Sequence, residues 1–455
     1  MLSGNMVRPD WDLDVLWRPL TQHASQQRPL VIVSGKGVRV VDSAGREYID
    51  AMAGIWCVNV GYGEERIVRA AAEQMLRLPY TPLTRPSPPA LRLAERLVGL
   101  LPAGLRHVQF LNSGSEAVED ALRVARQAQR QRHPRENRSK VIARYRGYHG
   151  WTLGALGATG QVGRKERVEP LLPGYVHISP PDTFRLFAGL SPSEATDRLL
   201  AELEQTIEFE GPSTIAAMIG EPIIGGGGVI VPPDDYWPRV RQLCDRYDIL
   251  LIFDEVITGF GRTGTWFGGQ NWGVTPDIMT MAKGLSSGYM PLAAMAASDA
   301  VFDAFKGQPA DGVEYAQIST FGGHPVACAA GLENLRLLAE LNLVDNAAQM
   351  GALFGAGLRA LRDKFPLIGD VRGKGLMWGV ELVLPGGLEP LPAAKVNQVL
   401  AELQKRGVLA GKNSSTVPRL ENVLTFAPPL IVKSEEIDQI VGTLGEAVQA
   451  VQGQR

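Results

Sequence analysis

The sequence predicts an α/β protein: one large domain with a mostly parallel sheet covered by helices on both faces, and a smaller α+β domain built from both ends of the chain. Two patterns predict this. Through the middle of the chain, apolar runs of strand length alternate with amphipathic stretches of helical period, the signature of parallel strands joined by helical crossovers. Towards both termini the texture changes, with strands, turns and helices following one another in a different order. A length of 455 residues also exceeds what a single core ordinarily fills. The expected division is 1–60 as the N-terminal part of the small domain, 61–330 as the large domain and 331–455 as the C-terminal part of the small domain.

From the N-terminus onward, Val38–Val41 and Glu47–Ile49 flank Asp42-Ser43-Ala44-Gly45 and read as a small hairpin. The proline-rich stretch Pro79–Pro89 reads as a loop. Central strands are expected at His107–Leu111, Lys140–Tyr145, Thr214–Gly220, Ile249–Phe253, Asp277–Met281 and Leu292–Ala297, with helices notably over Glu116–Arg132 and Tyr236–Tyr247. The run Gly225–Gly228 lacks the GK[ST] of a phosphate loop, so it reads as a flexible connection. Beyond Pro325 a long helical stretch leads to strands near Gly375–Leu382 and Val423–Phe426.

Composition narrows the function. Apolar residues make up 45%, and 46 basic residues stand against 48 acidic ones, which leaves no basic footprint for nucleic acid or an anionic membrane surface. Charges in the opening Met1–Asp14 fall where a secretory signal would carry its apolar core. The longest uncharged stretch, Tyr315–Leu332, contains Gly322, Gly323, His324 and Pro325 and does not suit a membrane span. Cys57, Cys244 and Cys328 lie far apart without a CxxC pair, and six scattered histidines add no metal spacing. That pattern fits a reducing cytoplasm. The expected partners are small molecules and other copies of the chain.

Three elements carry chemistry. In Met281-Ala282-Lys283-Gly284 a lysine follows an apolar strand. Desolvated there, it can lose its proton and attack an aldehyde, although read alone it is equally a surface lysine capping a strand. In Ile249–Val256 an aliphatic strand runs into Asp254 and Glu255. Ligands of open α/β sheets bind beyond the carboxyl ends of the strands, so Asp254 points at a site, where it can keep a pyridinium nitrogen protonated. A solvated strand end or a helix cap is the alternative. In Phe110–Ala117 a strand, a Gly/Ser turn and a helix follow one another, so the helix-start amides and the Ser115 hydroxyl offer a phosphate cup, or merely a cap. Tyr148, after the strand at Val141, can present an aromatic face to a planar ring. Thr320–Pro325 offers a hydroxyl and glycine amides before a helix.

In order along the chain, Asp50–Gly63 (DAMAGIWCVNVGYG), Asn112–Ala117 (NSGSEA), Gly147–Gly150 (GYHG), Glu221-Pro222, Asp254–Gly264 (DEVITGFGRTG), Met281–Pro291 (MAKGLSSGYMP) and Thr320–Pro325 (TFGGHP) resemble the class III aminotransferases. These are pyridoxal-phosphate enzymes of fold type I, and the resemblance, which covers nearly the whole chain, is to their amine:pyruvate or ω-transaminase branch. It implies a seven-stranded sheet in the large domain. It also implies that Lys283 holds the cofactor as a Schiff base and later shuttles the proton between the substrate carbon and the cofactor C4′, while Asp254 pairs with the pyridine nitrogen. Tyr148 stacks on the ring and Val256 packs on its other face. Gly114 and Ser115 bind the phosphate, with Ser113, His149 and Glu221 among the cofactor contacts, Glu221 orienting the site or pairing with a mobile arginine. Thr320 reaches the phosphate of the neighbouring subunit, which makes a homodimer with interfacial active sites the smallest active unit and leaves open whether dimers pair into tetramers. No metal is implied.

For the substrate, the resemblance implies an arginine that swings in to pair with a carboxylate and swings out for an amine. Arg419, a few residues before Ala427-Pro428-Pro429, lies about one residue from that position; a solvated loop arginine is the other reading. Trp56 and Tyr148 would wall the pocket. The implied reaction is ping-pong transfer from an amine or ω-amino acid to pyruvate or a similar keto acid. An aminomutase or a decarboxylating enzyme on the same scaffold is the alternative within the family, and a non-catalytic binding protein the alternative outside it. The physiological donor stays open among β-alanine, taurine, a polyamine, other ω-amino acids and aryl-alkyl amines, with a lean to (S)-amines.

Overall fold

Strands buried on both faces carry unbroken apolar side chains, and the centre of this chain is made of such runs. The structure, a computed structural model, describes Asp12 and residues 15–24 and 29–453. Asp12 apart, the opening Met1–Asp14 lies outside the described residues. The strands are β1 (Ile32–Lys36), β2 (Arg39–Asp42), β3 (Glu47–Asp50), β4 (Leu105–Leu111), β5 (Lys140–Arg144), β6 (Tyr175–Ile178), β7 (Ile215–Gly220), β8 (Leu250–Asp254), β9 (Ile278–Met281), β10 (Ala293–Ser298), β11 (Ile368–Lys374), β12 (Met377–Leu382), β13 (Val408–Leu409), β14 (Gly411–Lys412) and β15 (Val423–Phe426).

The central sheet has seven strands in the order β4-β10-β9-β8-β7-β5-β6. Only β10 runs against its neighbours, β4 and β9, so the sheet is mostly parallel, as the resemblance implies. Every residue of β7, β8 and β9 is buried. The six expected central strands all form, with ends displaced by one or two residues. The seventh, β6, gave no such signal because it is four residues at a sheet edge, mostly half-buried, and so needs no apolar run.

Two further four-stranded sheets flank this one. The hairpin β2–β3 forms with Asp42 closing its turn, Oδ1 accepting from the Ala44 and Arg46 amides at 2.9 Å each. Near the other end of the chain, β13 joins β3 in parallel, pairing Val408 with Ile49. The third sheet has the order β11-β12-β15-β14. One buried apolar cluster runs through all three sheets, taking in Ile49, Met281 and Phe426.

Two expected loops fold differently. The Pro79–Pro89 loop ends at Ser87, and Pro88 and Pro89 open the helix Pro88–Val98, where a missing N–H costs nothing. Gly225–Gly228 is not a flexible connection but a turn walled in by protein. Glu221 Oε2 accepts the Gly225 amide at 2.7 Å, and the carbonyls of Gly227 and Gly228 accept from Arg146 and Arg372, each at 2.7 Å. A Cβ on Gly227 would come within 2.4 Å of the Arg146 carbonyl oxygen, so close approach requires glycine there.

The guanidiniums that hold this turn belong to a buried charge network. Arg372 Nη1 contacts Glu381 Oε2 at 2.6 Å and Asp370 Oδ2 at 2.7 Å, Arg185 reaches the other Glu381 oxygen, and Arg146 pairs with Asp182. Burial alone would raise the Glu381 carboxyl; the Arg372 and Arg185 charges outweigh it and hold the group below its ordinary value. The stability this provides is present above the ordinary glutamate value of 4.5 and is lost as the pH falls through the lower folded value. Glu381→Gln removes the shared counter-charge of two guanidiniums and should cost about 3–5 kcal/mol in urea unfolding at neutral pH. The gap between wild type and variant should narrow as the pH is lowered below about 4.

Candidate active site

The carboxyl ends of β4, β9, β8, β7 and β5 open together, and the residues that follow them enclose a cavity of about 360 Å³. This is where an open α/β sheet places its ligand. The antiparallel β10 enters from the opposite direction and brings Met290, Pro291 and Leu292 to the same wall.

Lys283 comes two residues after β9 and lines the cavity with a left-handed φ of 42°. Non-glycine residues held in that region mark over-determined positions, often functional ones. Desolvation pushes its ammonium pKa down, while the nearby Asp254 and Glu221 charges pull partly back. The outcome is an amine more readily deprotonated than that of an ordinary lysine.

Asp254 ends β8 with its carboxylate buried and both oxygens engaged. Oδ2 lies 2.8 Å from His149 Nδ1, and Oδ1 accepts from the Val256 amide at 3.1 Å and Thr280 Oγ1 at 3.2 Å. The neighbouring Glu255 has a different fate. Its oxygens accept the Gly268 and Gly269 amides at 2.8 Å each, and burial pushes its carboxyl up to about 7. Of the two adjacent carboxylates, Asp254 serves the cavity and Glu255 holds a turn.

After β4, Ser113 caps the helix Gly114–Arg132 by accepting the Glu116 amide on Oγ at 3.2 Å. The Gly114 and Ser115 amides then open the helix, where N–H groups lack intrahelical acceptors and the dipole is positive. A Cβ on Gly114 would approach Val256 Cγ1 to 2.9 Å, so these two residues pack as closely as a glycine permits. Ser115 Oγ accepts the Trp151 amide at 3.2 Å.

Glu221 lies just past β7. Its Oε1 accepts the Tyr148 amide at 3.0 Å and its Oε2 the Gly225 amide, so one carboxylate fixes both the aromatic segment and the glycine turn. Burial pushes its carboxyl pKa up, with the Asp254 charge adding to the effect. Tyr148 is half-buried on the cavity wall.

Of the residues anticipated from sequence, Ser113, Gly114, Ser115, Tyr148, His149, Glu221, Asp254, Val256 and Lys283 line the cavity. Trp56, Thr320 and Arg419 stand outside its lining. Trp56 is buried, and its neighbour Cys57 reaches the wall; Thr320 is exposed, its carbonyl accepting from Tyr80 Oη at 2.9 Å. Arg419 lies exposed on a turn. Sequence reasoning missed Cys57, Asn112, Ile257 and Ser286, which also line the cavity. All four fall inside the quoted motifs without being singled out as site residues, Ile257 next to Val256 in the strand-end motif.

The residues fit pyridoxal phosphate. An amine with a lowered pKa suits an aldehyde, a fixed carboxylate suits a ring nitrogen, and a helix start suits a phosphate. Gly114, lacking a Cβ, lets the Val256 side chain seat directly against that helix start, on the wall of the same cavity.

The comparisons agree. The family model for class III aminotransferases matches residues 20–448. An uncharacterized aminotransferase of Bacillus subtilis is 45% identical over 97% of this chain and 96% of its own. The taurine–pyruvate aminotransferase of Rhodobacter capsulatus is 42% identical over 95% of each chain. Among solved structures, an (S)-enantioselective ω-transaminase from Thermomicrobium roseum superposes with a TM-score of 0.90 at 41% identity, covering 96% of both chains. The chain therefore belongs to the class III aminotransferases, and its cofactor is pyridoxal phosphate.

Proposed function

We propose that this enzyme transfers the amino group of an amine or ω-amino acid to pyruvate or a similar keto acid in a ping-pong cycle. The observation that carries this reading is the placement of Lys283, Asp254 and the helix start at Gly114 on one cavity. The taurine–pyruvate relative and the (S)-selective ω-transaminase neighbour support the choice of substrates and of hand.

Pyridoxal phosphate supplies an aldehyde that condenses with amines and a ring that accepts the electron pair left when a substrate C–H bond breaks. Lys283 would hold it through its ε-nitrogen and, once released, would carry the proton between the substrate carbon and C4′. Asp254, oriented by His149 and Thr280, keeps the ring nitrogen protonated. Gly114 and Ser115, with Ser113 beside them, would bind the phosphate, Tyr148 and Val256 would pack against the ring, and Glu221 keeps the Tyr148 backbone in place. Trp56 closes the substrate side behind Cys57. Arg419 pairs with the keto-acid carboxylate and withdraws for a neutral amine, a role its exposure favours.

In the same reading, residues 61–330 form the large, cofactor-binding domain, and 1–60 together with 331–455 form the small domain. The enzyme is a cytoplasmic homodimer in which Thr320 reaches the partner's phosphate. The exposed Trp151, Ile318 and Phe321, near Gly150 and Thr320, support a covering subunit. The free thiols Cys57, Cys244 and Cys328 support a reducing compartment.

Two outcomes are expected. Lys283→Ala should lose pyruvate-dependent multiple turnover by at least about 10³-fold and give no borohydride-trapped adduct on that peptide; normal turnover in this variant would sink the mechanism. Desolvation lowers the Lys283 pKa, so cofactor capture by the apoenzyme should rise with pH through a midpoint below the ordinary lysine value of 10.5. Asp254→Asn removes a charge that favours the ammonium and should move that midpoint lower still, as read by absorbance stopped-flow.

A further inference from the structure

Tyr148 carries a cation. The Arg164 guanidinium carbon stands 4.6 Å from the centre of the Tyr148 ring, and Arg164 Nε donates to Gln161 Oε1 at 2.7 Å. Among the described residues no carboxylate forms an ion pair with Arg164, and its side chain is half-buried. An aromatic face attracts a guanidinium while leaving its N–H edge available, and that edge matches the paired oxygens of a carboxylate or sulfonate.

The segment bearing Arg164 is fixed from two sides. Gln161 is fully buried and donates Nε2 to the Arg146 carbonyl at 3.1 Å. The Val162 amide donates to the Thr416 carbonyl at 2.9 Å, and a Cβ on Gly163 would come within 2.9 Å of Ser415 Cα. Arg164 is therefore held against a cavity-lining ring by a short helix, Val162–Lys165, packed on the loop that also bears Arg419. Lys283 is committed to the cofactor in the reading above, so a donor with an anionic far end needs another cation near this wall.

We propose that Arg164 is a specificity-determining residue whose guanidinium edge receives the terminal carboxylate or sulfonate of an ω-amino acid donor. This rests on the transaminase reading and assigns the donor's anion to Arg164 and the keto acid's carboxylate to Arg419. The first acid group lies at the far end of the molecule from the reacting carbon and the second is attached to it directly, so separate cations suit them.

The experiment compares β-alanine, taurine and the uncharged side chain of 1-phenylethylamine as donors with pyruvate as the common acceptor, in holoenzyme whose cofactor absorbance is matched to wild type. In Arg164→Leu, kcat/KM for β-alanine and taurine should fall about thirtyfold, mostly through KM, while 1-phenylethylamine stays within about threefold. Arg164→Lys should recover part of the loss. An equal loss on all three donors would mean that Arg164 only props Tyr148 and would overturn the proposal, as would no loss on any donor. A wild-type enzyme that uses 1-phenylethylamine but neither acid would also overturn it while leaving the transaminase reading intact. A wild-type enzyme that transfers nothing from any donor would overturn both.

Discussion

The register of β8 against β9 is the constraint on which the site depends. These neighbouring parallel strands pair Asp254 with Thr280, and Thr280 Oγ1 donates to the Asp254 carboxylate at 3.2 Å. Lys283 then follows three residues beyond Thr280, where the strand has ended and the backbone turns through a left-handed conformation. A slip of one residue would turn Asp254 or Lys283 to the opposite face of the sheet. The slip is opposed by burial, since every residue of both strands is enclosed and the aliphatic side chains of β8 fit a covered sheet on both faces.

Around this pair, the protein spends buried polar groups on orientation. His149 fixes the Asp254 carboxylate, Glu221 ties Tyr148 to the glycine turn, and Arg146 and Arg372 hold that turn by its carbonyls. Arg372 also pairs with Glu381 on β12, so the outer sheet is joined to the aromatic wall of the cavity through hydrogen bonds rather than through apolar packing alone. Such links are directional, and a polar network that is fully satisfied specifies one arrangement. A shift of β12 would be felt at Tyr148 through Arg372, Gly228, Gly225 and Glu221.

Much of this was legible in the chain. The strand-Asp and strand-Lys signals survive because apolar runs mark covered parallel strands whatever their neighbours are, and because ligands collect where those strands end. The Gly/Ser turn before the 114–132 helix was legible for a similar local reason, since capping chemistry is written within four residues. What escaped were elements whose role is set by distant partners. β6 and β11 are short or polar edge strands, and the Gly225–Gly228 run owes its rigidity to Arg146 and Arg372, far away in sequence.

By itself, then, the sequence determined the alternating α/β core, the lysine, the aspartate and the helix start that meet at its edge, because each depends on residues adjacent along the chain. Only the tertiary structure decided that Glu255, beside the Asp254 that serves the cavity, holds a turn, that His149 is the partner of Asp254, and that Arg164 lies over Tyr148. Two neighbouring carboxylates are chemically equivalent as letters. They become different groups only when pleat, register and the approach of other segments give one a ligand site and the other a turn to hold.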